Sequence, residues 1–299
     1  MNGYKKIIRS QKVRFAILRM LKIVPDRVML KWQYRIKTRR KLNLDNPQRY
    51  TEKLQWYKLH YRNPVMMQCV DKYGVRAYVE SKGLAHILNE LYQVVDRPEQ
   101  LDFDALPEKF VLKTTNGSGT NILCRSKTGL DIEATRRRLG EFLAMAEVSA
   151  GREWAYTGSS KKIIAERLLE DPANADGGVS DYKFLCFGGR VAYIVYDKDR
   201  FTDHKRNFYD PQWRYVKVDS DCPSFGDSVP RPANLDEMIS VAEKLSGDFP
   251  AVRVDLYNIG GRICFGELTF YPWSGYVVFE PDAFDDALGR LFVLPEKAG

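Results

Sequence analysis

From residue 108 onward the chain is a run of short apolar, β-branched and aromatic segments, and most of them arrive in adjacent pairs. "KFVLKTT" is followed by "NILCRS", "DYKFLCF" by "RVAYIVYD" and "AVRVDLY" by "RICFGELTF", with "KIIAERLL" after the first pair. Strands joined by a few residues pair antiparallel, because a parallel pair needs a crossover of roughly a dozen residues or more. Helical periodicity interrupts this run at 131–147 ("DIEATRRRLGEFLAMAE") and 234–246 ("NLDEMISVAEKLS"). The expected fold is therefore α+β with antiparallel sheets, not a doubly wound parallel sheet.

Before residue 108 the pattern is mainly helical. "NPQRYTEKLQWYKLHY" reads as a helix capped by Thr51, with Leu54, Trp56 and Leu59 on its inward stripe. "VMMQCVDKYGVRAYVESKG" reads as one further helix ending at Gly83, and "LNELYQVVD" as a strand. Residues 4–42 read as one or two basic helices broken at Pro25, with apolar residues at close to helical spacing. The formal net charge of +8 is concentrated there: residues 1–41 hold 14 Lys/Arg and one acid, Asp26, against 33 basic and 38 acidic residues elsewhere. A basic amphipathic helix suits an anionic membrane face, where each Lys/Arg contributes about 1 kcal/mol. It suits equally a helix packed on the body with its basic face in water. Nucleic acid is not an expected partner, since no zinc-finger or RNP motif accompanies the charge.

The remaining composition limits the chemistry. No apolar run approaches the roughly 18 residues of a membrane span, and the start lacks the uninterrupted apolar core of a secretory signal. Five scattered cysteines without a C-x-x-C pair point to a reducing compartment and away from a zinc site. With three dispersed histidines, any catalytic metal is expected to be a hard ion held by oxygen.

Three stretches carry candidate chemistry. In "FVLKTTNGSGTNILC", Lys113 ends a strand and Asn116, Gly117, Ser118 and Gly119 form a loop. Glycines there could let backbone N–H groups approach a phosphate, or could simply make a hairpin turn. No helix follows the loop and no Gly-Lys-Ser/Thr appears, so neither a Walker loop nor a dinucleotide fingerprint fits. The kinase H-R-D and D-F-G motifs are absent as well. In "KKIIAERLLE", Glu166 ends an apolar run, either facing inward towards a ribose hydroxyl or solvated on an edge.

The third stretch is "RVDLYNIGGRICFGELTF", with Asp255 and Glu267 on two strands around Gly260-Gly261. A plain two-residue turn pairs Asp255 with Gly266 and sends Glu267 to the other face. A three-residue loop, or a bulge at Gly266, sets the two carboxylates opposite each other, about 5 Å apart. Mg²⁺ suits such a pair, and Arg253 shares the face of Asp255 with donors for a phosphoryl group. Solvated hairpin carboxylates are the alternative.

Taken in order, "NPQRYTEKLQWYKL", "FVLKTTNGSG", "REWAY", "IIAERLLED", "DYKFLCFGG", "DRFTDHKRNFYD" and "RVDLYNIGGRICFGELTFYPWSG" resemble the TupA-like ATP-grasp family over roughly residues 45–282. Its members occur in bacterial surface-polysaccharide and teichuronopeptide pathways. The resemblance implies two α+β subdomains with antiparallel sheets gripping a nucleotide. It implies the divisions 1–44 (basic helical extension), 45–107 (helical part of the catalytic region), 108–285 (nucleotide- and metal-binding core) and 286–299 (tail). It implies a cytoplasmic enzyme, peripheral to the membrane if residues 4–41 bind lipid. The enzyme would use ATP and Mg²⁺ to activate a carboxylate, such as a uronic acid on a glycan precursor, and join it to an amine such as an amino acid.

By position, Lys113 and the loop of Asn116, Gly117, Ser118 and Gly119 would meet the phosphates. Glu166 would lie at the adenosine end, with Lys183 a second nucleotide contact. Asp255 and Glu267 would carry Mg²⁺ and Arg253 would steady the transferring phosphoryl group. The basic cluster of His204, Lys205 and Arg206 suits the γ-phosphate or an acidic acceptor, or is a solvated loop. The family commonly has Asn two residues after the metal-binding Glu; here Thr269 stands there, a poorer ligand. A rival reading is glycosyl transfer, since Asp197/Asp199 and Asp219/Asp221 match a short D-x-D pattern.

Overall fold

The computed structural model describes residues 21–117, 119–145, 151–158, 160–172, 178–198, 204–226 and 229–296. Two antiparallel sheets carry the chain. The smaller has the order β1-β4-β2-β3, built from Leu91–Val95, Phe110–Thr114, Asn121–Cys124 and Ile163–Arg167 as β1 to β4. The larger has the order β10-β9-β5-β6-β7-β8. Its strands are Asp181–Phe187 (β5), Arg190–Lys198 (β6), Lys205–Tyr209 (β7), Tyr215–Val216 (β8), Ala251–Ile259 (β9) and Arg262–Thr269 (β10). Every described strand pair is antiparallel, as the paired arrival of the segments predicts.

Helices bury one stripe each against these sheets. Leading into them are α1 (Asp26–Thr38), α2 (Tyr50–His60), α3 (Val65–Val70) and α4 (Gly74–Ser81); α5 (Ile132–Ala144), α6 (Leu235–Ser246) and α7 (Ala283–Leu291) follow. Leu139 of α5 joins Phe110, Leu112, Ile163 and Ala165 in the core of the small sheet. On α6, Leu235, Met238, Val241, Ala242 and Leu245 are buried, at the three- and four-residue spacing of one helix face. Side chains alternate along β5, so Asp181 and Lys183 share a face with Leu185 and Phe187. Tyr50 of α2 meets Phe187 edge-on at 5.7 Å. That face is thus apolar and covered at one end, charged at the other.

Two sequence expectations before residue 108 are corrected. Thr51 is not the cap of α2: the helix begins at Tyr50, after Arg49, and Glu52 reaches back to accept from the Arg49 (3.2 Å) and Gln48 (3.0 Å) amides. The Thr51 hydroxyl instead donates to Asp285 on α7 at 2.7 Å, a tertiary partner invisible in local sequence. The single helix over "VMMQCVDKYGVRAYVESKG" is two, α3 and α4, interrupted at Asp71–Tyr73. Asp71 Oδ1 accepts from the amides of Tyr73 (3.0 Å) and Gly74 (2.7 Å), an Asx-type turn that competes with the helical ladder. Gly83 does follow α4 with φ +67°, as expected of a helix C-terminus.

Candidate active site

The β9–β10 hairpin resolves the register question by using both features at once. Gly260 and Gly261 form a two-residue turn, Ile259 pairing with Arg262, with both glycines at positive φ (56° and 86°). The register then shifts between Phe265 and Glu267, so Asp255 stands opposite Glu267. Gly266 is the extra residue. A Cβ there would lie 2.8 Å from the carbonyl oxygen of Asp255, which explains glycine at this bulge.

Lys183 on β5 pairs in register with Asp255 on β9, so Lys183, Asp255 and Glu267 form one row across three strands. The next row joins Asp181 (β5), Asp197 (β6) and Arg206 (β7). Arg253 grips Asp255 with two parallel bonds of 2.6 Å and reaches Glu267 Oε1 (3.2 Å) and Thr269 Oγ1 (3.0 Å). Lys183 Nζ bonds Asp181 and lies 2.9 Å from Asp197. Arg206 Nε donates to Asp197 at 2.6 Å, its Nη1 bonds Asp221, and its guanidinium lies over the Trp273 ring at 5.4 Å. His204 Nε2 lies 3.2 Å from Asp197 as well. Lys205, one residue out of step with Arg206, leaves β7 on the opposite face.

The electrostatics of this face are uneven. Burial pushes the Asp255 carboxyl up to about 7; Arg253 and Lys183 oppose that shift, and Asp181 and Glu267 add to it. Glu267, whose side chain keeps more than half of its surface exposed, shifts down, because Arg253 and Lys72 stabilise its charge beyond what desolvation costs. Asp197, bonded to Arg206 and Lys183, is held well below the usual carboxylate range. A buried carboxyl that ionises reluctantly beside an acidic neighbour is where a divalent cation would be stabilised.

Asp255 and Glu267 are hard oxygen donors from adjacent strands, a donor set that fits Mg²⁺. Among the described residues no group of three or more His, Cys, Asp or Glu is arranged to hold a metal. Such an ion would draw its other ligands from phosphate and water.

The small sheet supplies the other half. Lys113 Nζ donates to Glu166 Oε2 at 2.8 Å, from neighbouring strands β2 and β4. The glycine loop bends between β2 and β3 with Gly117 at φ +121° and Gly119 at φ +74°. Asn116 does not face outward; its side-chain amide donates to the Tyr156 carbonyl at 3.0 Å and ties the loop to the turn Trp154–Tyr156. Ser118 lies outside the described residues.

Two basic residues went unmarked in the sequence. Lys72 Nζ donates to the Gly117 carbonyl (2.7 Å) and the Thr114 carbonyl (3.3 Å), while Glu267 is the strongest partner holding up an amine that burial pulls down. Arg76 Nη1 lies 3.5 Å from Glu166. Both sit at the α3–α4 break, so the signal was "DKYGVR" interrupting an apolar helix.

The carboxylates of the D-x-D reading are engaged elsewhere. Asp219 accepts from the Ser224 amide (2.8 Å) and forms a backbone bridge to Glu280; Asp221 and Asp197 hold Arg206. Asp199 lies outside the described residues.

Among curated proteins no match is found. Solved structures that resemble the chain include the Bacillus anthracis D-alanine–D-alanine ligase (17% identity, 68% of this chain and 57% of that one, TM-score 0.41). They also include N5-carboxyaminoimidazole ribonucleotide synthetase with ADP (15%, 73% and 50%, TM-score 0.44) and the Bacillus licheniformis L-amino acid ligase (16%, 69% and 44%, TM-score 0.43). The chain spans about half the length of these structures. With residues 52–293 of its 299 matched by the TupA-like ATPgrasp model, the chain belongs to that family, and its two antiparallel sheets are those of an ATP-grasp fold.

Proposed function

We propose that the protein is an ATP- and Mg²⁺-dependent ligase that joins a carboxylate to an amine through an acyl phosphate. The observation that carries this is the bulge at Gly266, which sets Asp255 opposite Glu267 with Arg253 bonded to both. In the first step a substrate carboxylate oxygen attacks the γ-phosphorus of ATP, the bond to the β–γ bridging oxygen breaks, and ADP leaves. In the second the amine attacks the acyl carbon, phosphate leaves with the carbon–oxygen bonding pair, and the amine loses a proton. The enzyme's part is alignment and charge neutralisation.

Lys113, Lys72 and the loop glycines would receive phosphate oxygens, and Arg76 and Glu166 the nucleoside side. Glu166 would exchange its bond with Lys113 for a ribose hydroxyl when phosphate claims the lysine. Arg253 offers a planar fork for the phosphoryl group in flight; Lys183, buried and paired with Asp181 and Asp197, opposes the upward shift of Asp255 and would meet a nucleotide only by leaving those partners. Asp255 and Glu267, with Thr269 beside them, would hold Mg²⁺, which when bound neutralises phosphate charge. His204, partly exposed beside Asp197, would suit an acidic acceptor; Arg206 would serve one only by giving up its bonds to Asp197 and Asp221, and Lys205 only from the other face. For that acceptor we infer a uronic acid of a bacterial surface-polysaccharide precursor, and for the amine an amino acid, with the reaction in the cytoplasm at the inner face of the membrane. This part rests on the family resemblance. Glycosyl transfer finds less support, since three of its four acidic positions (Asp197, Asp219, Asp221) already serve internal bonds.

The test is calorimetric titration with a non-hydrolysable ATP analogue and Mg²⁺, beside UDP-glucose and UDP-glucuronic acid. Magnesium-dependent analogue binding, weakened about 10- to 100-fold in Lys113→Ala, is expected. Binding of a UDP-sugar alone would overturn the ligase in favour of the transferase. Carboxylate- and amine-dependent ADP release then identifies the substrates.

A further inference from the structure

Helix α1 is apolar on two sides, and among the described residues only one of them is covered. Its inner side buries Met29, Leu30 and Tyr34, the last two in a cluster with Leu42, Leu44, Trp56 and Tyr276. Its outer side carries Val28, Trp32 and Ile36, which are 38%, 57% and 77% exposed. Spaced by four, these three stack along one ridge of the helix. Lys31 and Arg35, also spaced by four and exposed, run beside the ridge, and Ile23 is 90% exposed just ahead of it.

The ridge is not the outer face of a loosely held helix. Arg152 donates to the Leu21 carbonyl (2.6 Å) and the Val24 carbonyl (3.2 Å) and pairs with Asp26 at 2.9 Å. The Tyr276 hydroxyl donates to Gln33 at 2.6 Å, and Lys37 Nζ lies 4.0 Å over the Tyr276 ring. The helix is clamped by its inner side, so Val28, Trp32 and Ile36 are presented outward. A helix with water as its only outer neighbour would be polar there.

Charge identifies the occupant. Residues 1–20 add six Lys/Arg and no acid, and residues 1–41 carry 14 Lys/Arg against Asp26 alone. A second copy related by twofold symmetry would set this basic ridge against itself. An anionic bilayer instead offers phosphates to Lys31 and Arg35 and an acyl boundary to valine and isoleucine. Tryptophan favours the interfacial depth between them. We propose that Val28, Trp32 and Ile36, flanked by Lys31 and Arg35, form a docking surface for anionic phospholipid. The ATP-grasp body would thereby be held against a membrane. The proposal does not depend on which reaction the site performs.

The test is sedimentation of the full chain with phosphatidylcholine vesicles, with and without phosphatidylglycerol, for the wild type, Val28→Ser/Trp32→Ser/Ile36→Ser and Lys31→Glu/Arg35→Glu. Wild type is expected to partition onto phosphatidylglycerol vesicles and to be released by salt. Each multiple variant should lose about tenfold or more in partitioning, while still binding the ATP analogue like the wild type. Vesicles should also shift the tryptophan emission to the blue in the wild type and much less in Trp32→Phe. Undiminished vesicle binding by the serine variant would overturn the proposal. So would a concentration-dependent dimer in the wild type, abolished by those serines, with no vesicle binding.

Discussion

The two sheets carry their charges under opposite conditions. On the large sheet Asp255 is 4% exposed and shares Arg253 with Glu267 and Thr269, while Asp197 meets Lys183, Arg206 and His204. On the small sheet the Lys113 side chain is 26% exposed and is bonded to Glu166, which Arg76 also approaches. The first arrangement is preorganised: each group is oriented by several others, and removing one strands the rest in a poor solvent. The second is exchangeable on its lysine side: Lys113 has one carboxylate partner and is partly open to water, so a phosphate can replace that bond while buried Glu166 keeps Arg76 nearby. That difference suits one sheet to the reacting phosphoryl group and the other to holding and releasing a nucleotide.

Breaking the comparison begins with Arg253→Ala. Removing the guanidinium leaves Asp255 buried without its fork, and about 3–5 kcal/mol of stability should be lost, read as a fall in the urea midpoint. Lys113→Ala should cost less, about 1–2 kcal/mol, because Arg76 remains beside Glu166; equal losses in the two variants would erase the distinction between the sheets. Next come Asp255→Asn and Glu267→Gln, each near-isosteric. Turnover, followed as ADP release, should fall by about 10²–10³-fold or more while the fold is retained, read by circular dichroism. Full activity in both would remove the metal assignment.

Lys113→Ala should weaken ATP-analogue binding by about 10- to 100-fold in calorimetry, the worth of a hydrogen bond to a charged group. Gly266→Ala tests the bulge itself. Its Cβ meets backbone rather than a movable side-chain end, so about 1–3 kcal/mol of stability should go, with turnover falling further than that loss explains.

A further expected effect is on pH. The Asp255 carboxyl sits at about 7 when folded and at 3.8 in its ordinary state, so between pH 4 and 7 the folded protein holds the extra proton. Its contribution to stability is therefore present at low pH and is lost as pH rises through about 7. Lys58, buried against Ser274 and Gln55, is pulled from 10.5 down to about 7, so its contribution improves as pH rises from 7 towards 10.5. Thermal unfolding of Asp255→Asn should flatten the first slope and leave the second, and Mg²⁺ with the ATP analogue should flatten the first in the wild type.

Much of this was legible residue by residue. Strand pairs, the helices at 132–144 and 235–246, and the glycine turn follow from periodicity and local backbone preference, which short segments express on their own. The family match likewise rests on ordered local segments such as "FVLKTTNGSG" and "RVDLYNIGGRICFGELTF". Where local preference competed with distant partners, the reading failed. Thr51 looked like a cap and instead bonds Asp285, 234 positions away. One apolar helix became two around Asp71, bringing Lys72 to the glycine loop.

The hairpin divides the two kinds of information most sharply. Sequence placed an aspartate, a glutamate and three glycines on two strands, but both registers satisfied its alternation, and they differ by one unpaired residue. The choice was made in the sheet, where β9 is fixed on its far side by β5, Lys183 standing opposite Asp255, and where backbone crowding at Gly266 admits the bulge. The rows of charge that follow, from Asp181 and Asp197 to Arg206, join strands that no local pattern orders. Strand order is set by which faces must bury together, and that is a property of the assembled chain.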